Sequence, residues 1–216
     1  MGEGLAARVG TEALKEVGAK IGEAGLLPKK AFDGLRYVTS GNLDLTRGTF
    51  ECWYKPYFSI KRAKDMPENW PMLYILFQYR ESAKSSFSLN FNQYPDGNIA
   101  AHFFINKHGS YADLNSGVNW KPGTWHHIAI TWDTKETNTA SLFLDGKLIG
   151  RWSKMSLSKL ADGFPKYSST YPFCIGSNVW RKSGNKFQFY KADGIIDEVR
   201  ISNIVRYQED FSLPEK

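Results

Sequence analysis

The apolar positions of this chain recur at every second residue, most clearly in WHHIAITWD, Trp125 to Asp133. Trp125, His127, Ala129 and Thr131 fall on one side of the alternation; His126, Ile128, Ile130 and Trp132 fall on the other. A period of two belongs to a pleated strand with one face in the core and one toward water. After the polar TKETNT, the stretch TASLFLDGKLIG alternates again, with Ala140, Leu142 and Leu144 on one face. Asp145-Gly146 divides LFL from KLI. Aspartate followed by glycine signals a two-residue hairpin, because a type I′ turn has positive φ at both central positions. The pattern predicts an antiparallel meander over residues 119–150.

The same period extends outward from this centre. FECWYKPYFSI sets Phe50, Cys52 and Tyr54 against Glu51, Trp53 and Lys55. MLYILFQYR, residues 72–80, is almost wholly apolar, as a central strand covered on both faces is. FSLNFNQY and NIAAHFFIN flank Pro95-Asp96-Gly97, a second predicted hairpin. PFCIGSN, GIIDEVRIS and a short tail, NIVRY, complete roughly eleven predicted strands. Loops are predicted at 61–71, in the polar NKHGSYADLNSGVNWKPG, in SKMSLSKLADGFPKYSSTYP and in VWRKSGNKFQFYKA, residues 179–192. Many strands with regular turn signals predict an all-β fold of two packed sheets. Residues 1–30 differ, being rich in Gly, Ala, Lys and Glu and free of aromatic residues. Leu14, Val17 and Ile21 keep helical spacing behind Thr11 as a cap, but the interspersed glycines weaken such a helix. Residues 1–30 are therefore assigned to a linker or short helix, and 31–213 to one β domain.

Composition narrows the function classes. A chain of 216 residues suits one sizeable sandwich and is too short for two. Its net charge of +6 and pI near 9.2 favour acidic partners. No nucleic-acid-binding motif is present, which sets that partner aside, and no apolar run reaches the roughly 18–20 residues of a membrane helix. MGEGLAARVG lacks the charged-then-apolar start of a signal peptide. Cys52 and Cys174 have neither metal-ligand spacing nor the density of a disulfide framework. Two buried thiols are the favoured reading, with a single disulfide as the alternative.

Four blocks stand in a telling order: AFDGLRYV, TFECWYKP, WHHIAITWD followed by LFLDGKLIG, and GIIDEVRIS. Together they resemble laminin-G-like domains of the concanavalin-A-like jelly-roll class, over residues 31–207. The resemblance implies a two-sheet antiparallel sandwich, and an extracellular or cell-surface setting within a larger secreted protein. It also implies a structural Ca²⁺ held by Asp33 of the FDG turn and Asp197 of the last strand, with carbonyls and water completing the shell. Asp33 fixing its own turn, and Asp197 holding backbone amides, is the alternative. The resemblance does not settle an activity, because this fold hosts lectins, adhesion modules, glycosidases and polysaccharide lyases.

Glycosidases of this fold carry Glu-x-Asp-x-x-Glu on one strand, and this chain has no such run. Asp197 and Glu198 are adjacent, so a strand turns them to opposite faces, and they cannot flank one bond about 5 Å apart. FYKADG has a faint likeness to a strand of alginate-lyase-type jelly rolls, with Tyr190 and Lys191 in place of the reacting groups, while Arg80-Glu81-Ser82 is only a fragment of a second lyase motif. His126 and His127 diverge as strand neighbours and are expected to be packed and hydrogen-bonded. The 179–192 segment carries Trp180, Arg181, Lys182, Phe187 and Tyr190 and no acid. Aromatic faces stack on sugar C–H surfaces, and guanidinium or ammonium groups pair with carboxylate or sulfate. Tyr79, Arg80, His108, Tyr111, Asp113 and Trp120 join it as loop residues, while Trp53, Trp125 and Trp132 read as core. The expectation is a non-catalytic, lectin-like carbohydrate-binding module for acidic glycans. Tyr79, Arg80, Tyr111, Trp180, Arg181 and Tyr190 carry the sugar, and no residue is assigned a catalytic role. A protein–protein adhesion or structural domain is the second reading, and a divergent polysaccharide lyase the third.

Overall fold

Alternating segments pair as antiparallel strands throughout the residues described by the structure, a computed structural model: 35–38, 42–57, 73–82, 85–92, 98–105, 110–153, 172–176, 181–183, 186–188, 192 and 194–213. In chain order the strands are β1 (Leu35–Val38), β2 (Arg47–Pro56), β3 (Leu73–Ser82), β4 (Ser85–Asn92), β5 (Asn98–Ile105), β6 (Ser110–Gly117) and β7 (His126–Asp133). They continue with β8 (Thr139–Leu144), β9 (Lys147–Ser153), β10 (Pro172–Ile175), β11 (Arg181–Ser183), β12 (Lys186–Gln188) and β13 (Gly194–Ser202). One sheet runs β13-β2-β7-β8-β9 and the other β1-β10-β3-β4-β5-β6, while β11 and β12 form a separate hairpin. This is the all-β, two-sheet antiparallel sandwich that the alternation implied.

The core lies between the sheets because the apolar parity of each strand is turned inward. Phe50, Cys52 and Tyr54 of β2, Ile128, Ile130 and Trp132 of β7, and Ala140, Leu142 and Leu144 of β8 join one cluster with Phe77, Tyr79, Phe173 and Ile175 of the facing sheet. Phe77 bridges the layers, its ring 4.6 Å from Phe50 and 5.7 Å from Phe173. Trp132 is 1% exposed, and its indole N–H donates to the Asp44 carbonyl at 3.0 Å, so its polar end is satisfied inside the core. Cys52 and Cys174 are both buried thiols not joined in a disulfide, as the composition favoured.

The central meander forms as predicted, and its turn does more than reverse the chain. Asp145 and Gly146 have φ of 50° and 77°, the type I′ requirement. Asp145 Oδ1 accepts from the His127 amide at 2.8 Å, and the Asp145 amide donates to the His127 carbonyl at 2.8 Å. Its Oδ2 lies 2.8 Å from His126 Nδ1. Burial alone would raise the Asp145 carboxyl, but the hydrogen bonds from His126 and from the His127 amide outweigh it and hold it below the ordinary aspartate value.

Five expectations are corrected. The 179–192 segment is not all loop, since β11 pairs with β12 within it. The polar stretch before the meander contains β6, an edge strand with no continuous apolar face to betray it. NIVRY is no strand; residues 203–213 run irregularly across the outer face of the five-stranded sheet. Under them β2 and β7 are buried on both faces, where the alternation implied one. Trp125 is half-exposed rather than core, with the Lys55 ammonium 4.7 Å from its ring centroid. The predictions for 1–30, 61–71 and 154–171 lie outside the described residues.

Gly146 is required twice, by its positive φ and because a Cβ there would meet the Phe211 carbonyl oxygen. Gly146→Val is expected to lower the unfolding free energy by about 3 kcal/mol, combining strain and overpacking. Urea titration of the variant checks this; a change under about 1 kcal/mol would show that the turn relaxes freely.

Candidate functional site

Two sheet faces point away from the core, and they differ. On the outer face of the five-stranded sheet, residues 203–213 form a strap. The Thr49 hydroxyl donates to the Ile204 carbonyl at 2.7 Å and accepts from the Arg206 amide at 3.0 Å. Tyr207 and Phe211 stack with centroids 3.7 Å apart, and both lie against Phe143. The Phe211 amide donates to the Gly146 carbonyl at 2.8 Å. Beneath the strap Glu51 is 4% exposed. Tyr207 donates its hydroxyl to Glu51 Oε2 at 2.5 Å, and His127 Nε2 lies 3.3 Å from the same oxygen. The Arg200 and Arg206 guanidinium groups lie 3.3 and 3.2 Å from Oε1. Burial would raise the Glu51 carboxyl, but the hydrogen bonds from His127 and Tyr207 and the charges of His127 and Arg200 prevail and hold it below the ordinary glutamate value. Burial and the bond to Glu51 push the Tyr207 phenol up. A carboxylate so stabilised is a weak base, and the cluster is a clamp for the strap rather than a reaction centre.

The six-stranded sheet is organised by register. The rows through the buried Phe77 and Tyr79 face the core, and their partners are Leu89, Ala101 and Leu114 for the first and Phe87, Phe103 and Ala112 for the second. The intervening rows belong to the opposite face. One runs Arg36, Cys174, Gln78, Ser88, His102, Asp113, and the next runs Arg80, Ser86, Phe104, Tyr111. Gln78 is 9% exposed and Cys174 is fully buried, so this face is covered at its β10–β3 end. Polar, cationic and aromatic residue types thus fill consecutive rows of one face, three strand spacings or about 14 Å across from β3 to β6.

The structure sorts the residues picked from the sequence. Tyr79 is corrected: it lies within β3, 1% exposed, in the inter-sheet core, because its parity is that of Phe77. Arg80 and Tyr111 are strand residues rather than loop residues, and they share a register row. Asp113 stands in the adjacent row, opposite His102. Arg181 is in β11, across from Gln188. Trp120 is occupied by packing, its ring stacked on His126 at 4.0 Å and 3°. Asp33, His108, Trp180 and Tyr190 lie outside the described residues. Asp197 Oδ1 accepts from the Glu198 amide at 2.9 Å. Among the described residues no three His, Cys, Asp or Glu side chains gather as a metal centre. Sequence reasoning missed Arg36, Gln78 and His102. Their signal was the alternation itself, since each stands at the polar parity of an otherwise apolar strand.

Comparisons with known proteins agree with this architecture. The profile of the family Laminin_G_3, described as the concanavalin A-like lectin/glucanases superfamily, matches residues 32–211. No curated protein sequence matches the chain. Among solved structures, the CBM40 of Ruminococcus gnavus IT-sialidase bound to α2,3-sialyllactose is similar, with a TM-score of 0.53 and 14% identity over 75% of this chain and 78% of that one. The heptameric SAP-like pentraxin of Limulus polyphemus matches with a TM-score of 0.53 and 14% identity, over 84% of this chain and 74% of that one. The NanB sialidase of Streptococcus pneumoniae matches with a TM-score of 0.56 and 14% identity, over 80% of this chain but 25% of that one. At such identities the likeness is one of fold.

The Glu51 clamp makes acid the expected denaturant. A carboxyl lowered on folding contributes fully above its unfolded value, 4.5 for glutamate, and the contribution is lost as pH falls through the folded value. Unfolding free energy should be nearly level between about pH 7 and 5, then decline below about 4.5, less steeply in Glu51→Gln. Asp145 and Asp210, also lowered, supply the remaining slope in the variant. Identical pH profiles for the two proteins, measured by urea unfolding, would remove Glu51 from this account.

Proposed function

The chain belongs to the concanavalin A-like lectin/glucanases superfamily, and on that premise we propose that it is a non-catalytic carbohydrate-binding module for acidic glycans. The observation that carries the reading is the register row Arg80–Ser86–Phe104–Tyr111 beside the row of His102 and Asp113, away from the covered β10–β3 end of the sheet. Arginine recognises carboxylate or sulfate through paired donors, aromatic rings bind sugar C–H faces, and Ser and Asp answer hydroxyls. The net charge of +6 draws anionic polymers to the surface. The similar R. gnavus CBM40 is described as bound to sialyllactose, an anionic sugar, which supports the same class of ligand here. The basic 179–192 segment, with Trp180, Arg181 and Tyr190, is proposed as a second contact with the same glycan. We place the module outside the cell, within a larger secreted or surface protein, on the family resemblance.

A structural Ca²⁺ is proposed on Asp33 and Asp197. The half-exposed Asp197 stands at the irregularity between Asp197 and Arg200, where the pairing with β2 is interrupted and Glu198 has a φ of 49°. EDTA is expected to lower the melting temperature by a few degrees, with Ca²⁺ restoring it. Identical melting curves with and without chelator would discard the cation.

Titration against uronate-, sialate- and sulfate-bearing oligosaccharides tests the main reading. Arg80→Ala, Tyr111→Ala, Trp180→Ala and Arg181→Ala should each weaken binding about tenfold, with little change in melting temperature. Wild-type affinity in all four variants would defeat the assignment. Release of unsaturated oligosaccharides by the purified chain would establish the lyase reading instead, and glycan-independent capture of a protein partner would establish the adhesion reading.

A further inference from the structure

We propose that the pocket beside the strap, on the outer face of the five-stranded sheet, is a second ligand site, built for one uncharged sugar residue. It encloses about 250 Å³ between β7, β8 and β9 on one side and Val205, Tyr207 and Gln208 on the other. That volume suits a single small ligand rather than a polymer segment.

The walls are hydroxyl-rich and their charge balances. Thr131, Thr139 and Ser141 line the floor, with Thr131 and Ser141 each 3% exposed. Arg47 and Arg151 supply two positive charges, and Asp133 and Glu136 supply two negative ones. These charges are already engaged with one another and with the strap. Arg47 reaches Glu136 at 3.3 Å, and Arg151 reaches Ser141 Oγ and Glu209 at 3.3 Å and the Gln208 carbonyl. The lining carries as many carboxylates as guanidinium groups, so neither an anion nor a cation finds a net opposite charge there. A neutral polyol needs none and finds donors and acceptors side by side.

A separate observation points to a missing partner. Arg47 Nε is buried and makes no hydrogen bond; the nearest carboxylate oxygen, Asp133 Oδ2, is 3.7 Å away. Buried polar atoms are ordinarily completed by something, and a sugar hydroxyl offers an acceptor for the Arg47 Nε–H. Asp133 Oδ1 accepts from the Lys135 and Glu136 amides at 3.0 and 2.8 Å, which fixes the turn. The site is independent of the proposed acidic-glycan face and prefers the opposite charge class.

Two-dimensional ¹⁵N NMR of the full chain tests this with methyl glycosides of glucose, galactose, mannose and N-acetylglucosamine, and with glucuronate and sulfate as anion probes. Saturable shifts at the Lys135, Glu136 and Gln208 amides are expected with at least one neutral glycoside and not with the anions. Arg47→Lys keeps the charge and removes the Nε donor, and should weaken that binding about tenfold. Thr139→Val, which keeps shape and loses one hydroxyl, should weaken it as well. Arg80→Ala should leave it unchanged, so failure of the acidic-glycan reading and failure of this one are told apart. The proposal is overturned by an absence of saturable shifts at tens of millimolar glycoside, which would mean water alone fills the pocket. It is equally overturned by tighter binding of the anions or by unchanged affinity in both pocket variants.

Discussion

A carboxylate shut away from water must be compensated, and Glu51 is faced by four groups: Tyr207 donates its hydroxyl, and His127, Arg200 and Arg206 stand at ion-pair distance. Two of the four, Arg206 and Tyr207, come from the C-terminal strap, so desolvation of one side chain in β2 ties down a segment more than 150 residues later in the chain. Once the strap is down, Phe143 and Ala129 on the outer face are as buried as the core residues behind them. The five-stranded sheet thus has two dry faces, one made by the opposing sheet and one by eleven residues without regular structure. Such a sheet is a rigid support with little open surface of its own.

The Asp145-Gly146 turn is joined to the same arrangement. One side-chain oxygen holds the β7 amide of His127, the other meets the ring of His126, and that ring carries Trp120 stacked upon it. The Gly146 carbonyl receives the Phe211 amide of the strap. A turn that began as local chemistry, two residues at positive φ, therefore connects the meander, the loop before it and the C-terminal cover. The absence of a side chain at Gly146 matters as much to the strap as to the hairpin.

Division of labour between the sheets follows from this burial. Among the described residues, the supporting sheet has a partly open recess at the strap's edge, where charges cancel and hydroxyls are frequent. The six-stranded sheet presents rows of polar and aromatic residue types in register, in a chain whose net charge is +6. Neutral and acidic sugars, the ligands proposed for the two faces, make opposite demands on charge. The fold accommodates both because a sandwich tolerates any polar set on its outward parity so long as the inward parity stays apolar.

Much of the architecture was legible along the chain. Strict alternation in β2, β7 and β8 announced which side chains meet in the core, and Asp-Gly announced the turn, because a two-residue period and positive φ are local properties of backbone and side chain. Strands β6, β11 and β12 were passed over since an edge strand or short hairpin needs no apolar face, so composition made them look like loop. Tyr79 was taken for a surface ring and is core, although its parity with Phe77 was there to be read. What no linear pattern could convey is which rows of different strands align, and what lies over an outward face. Arg80 reaches the row of Tyr111 only through the register of four strands, and Glu51 becomes a clamp only when Tyr207 and Arg206 arrive from the far end of the chain. Those are contacts between distant segments, set by packing rather than by any neighbour in sequence.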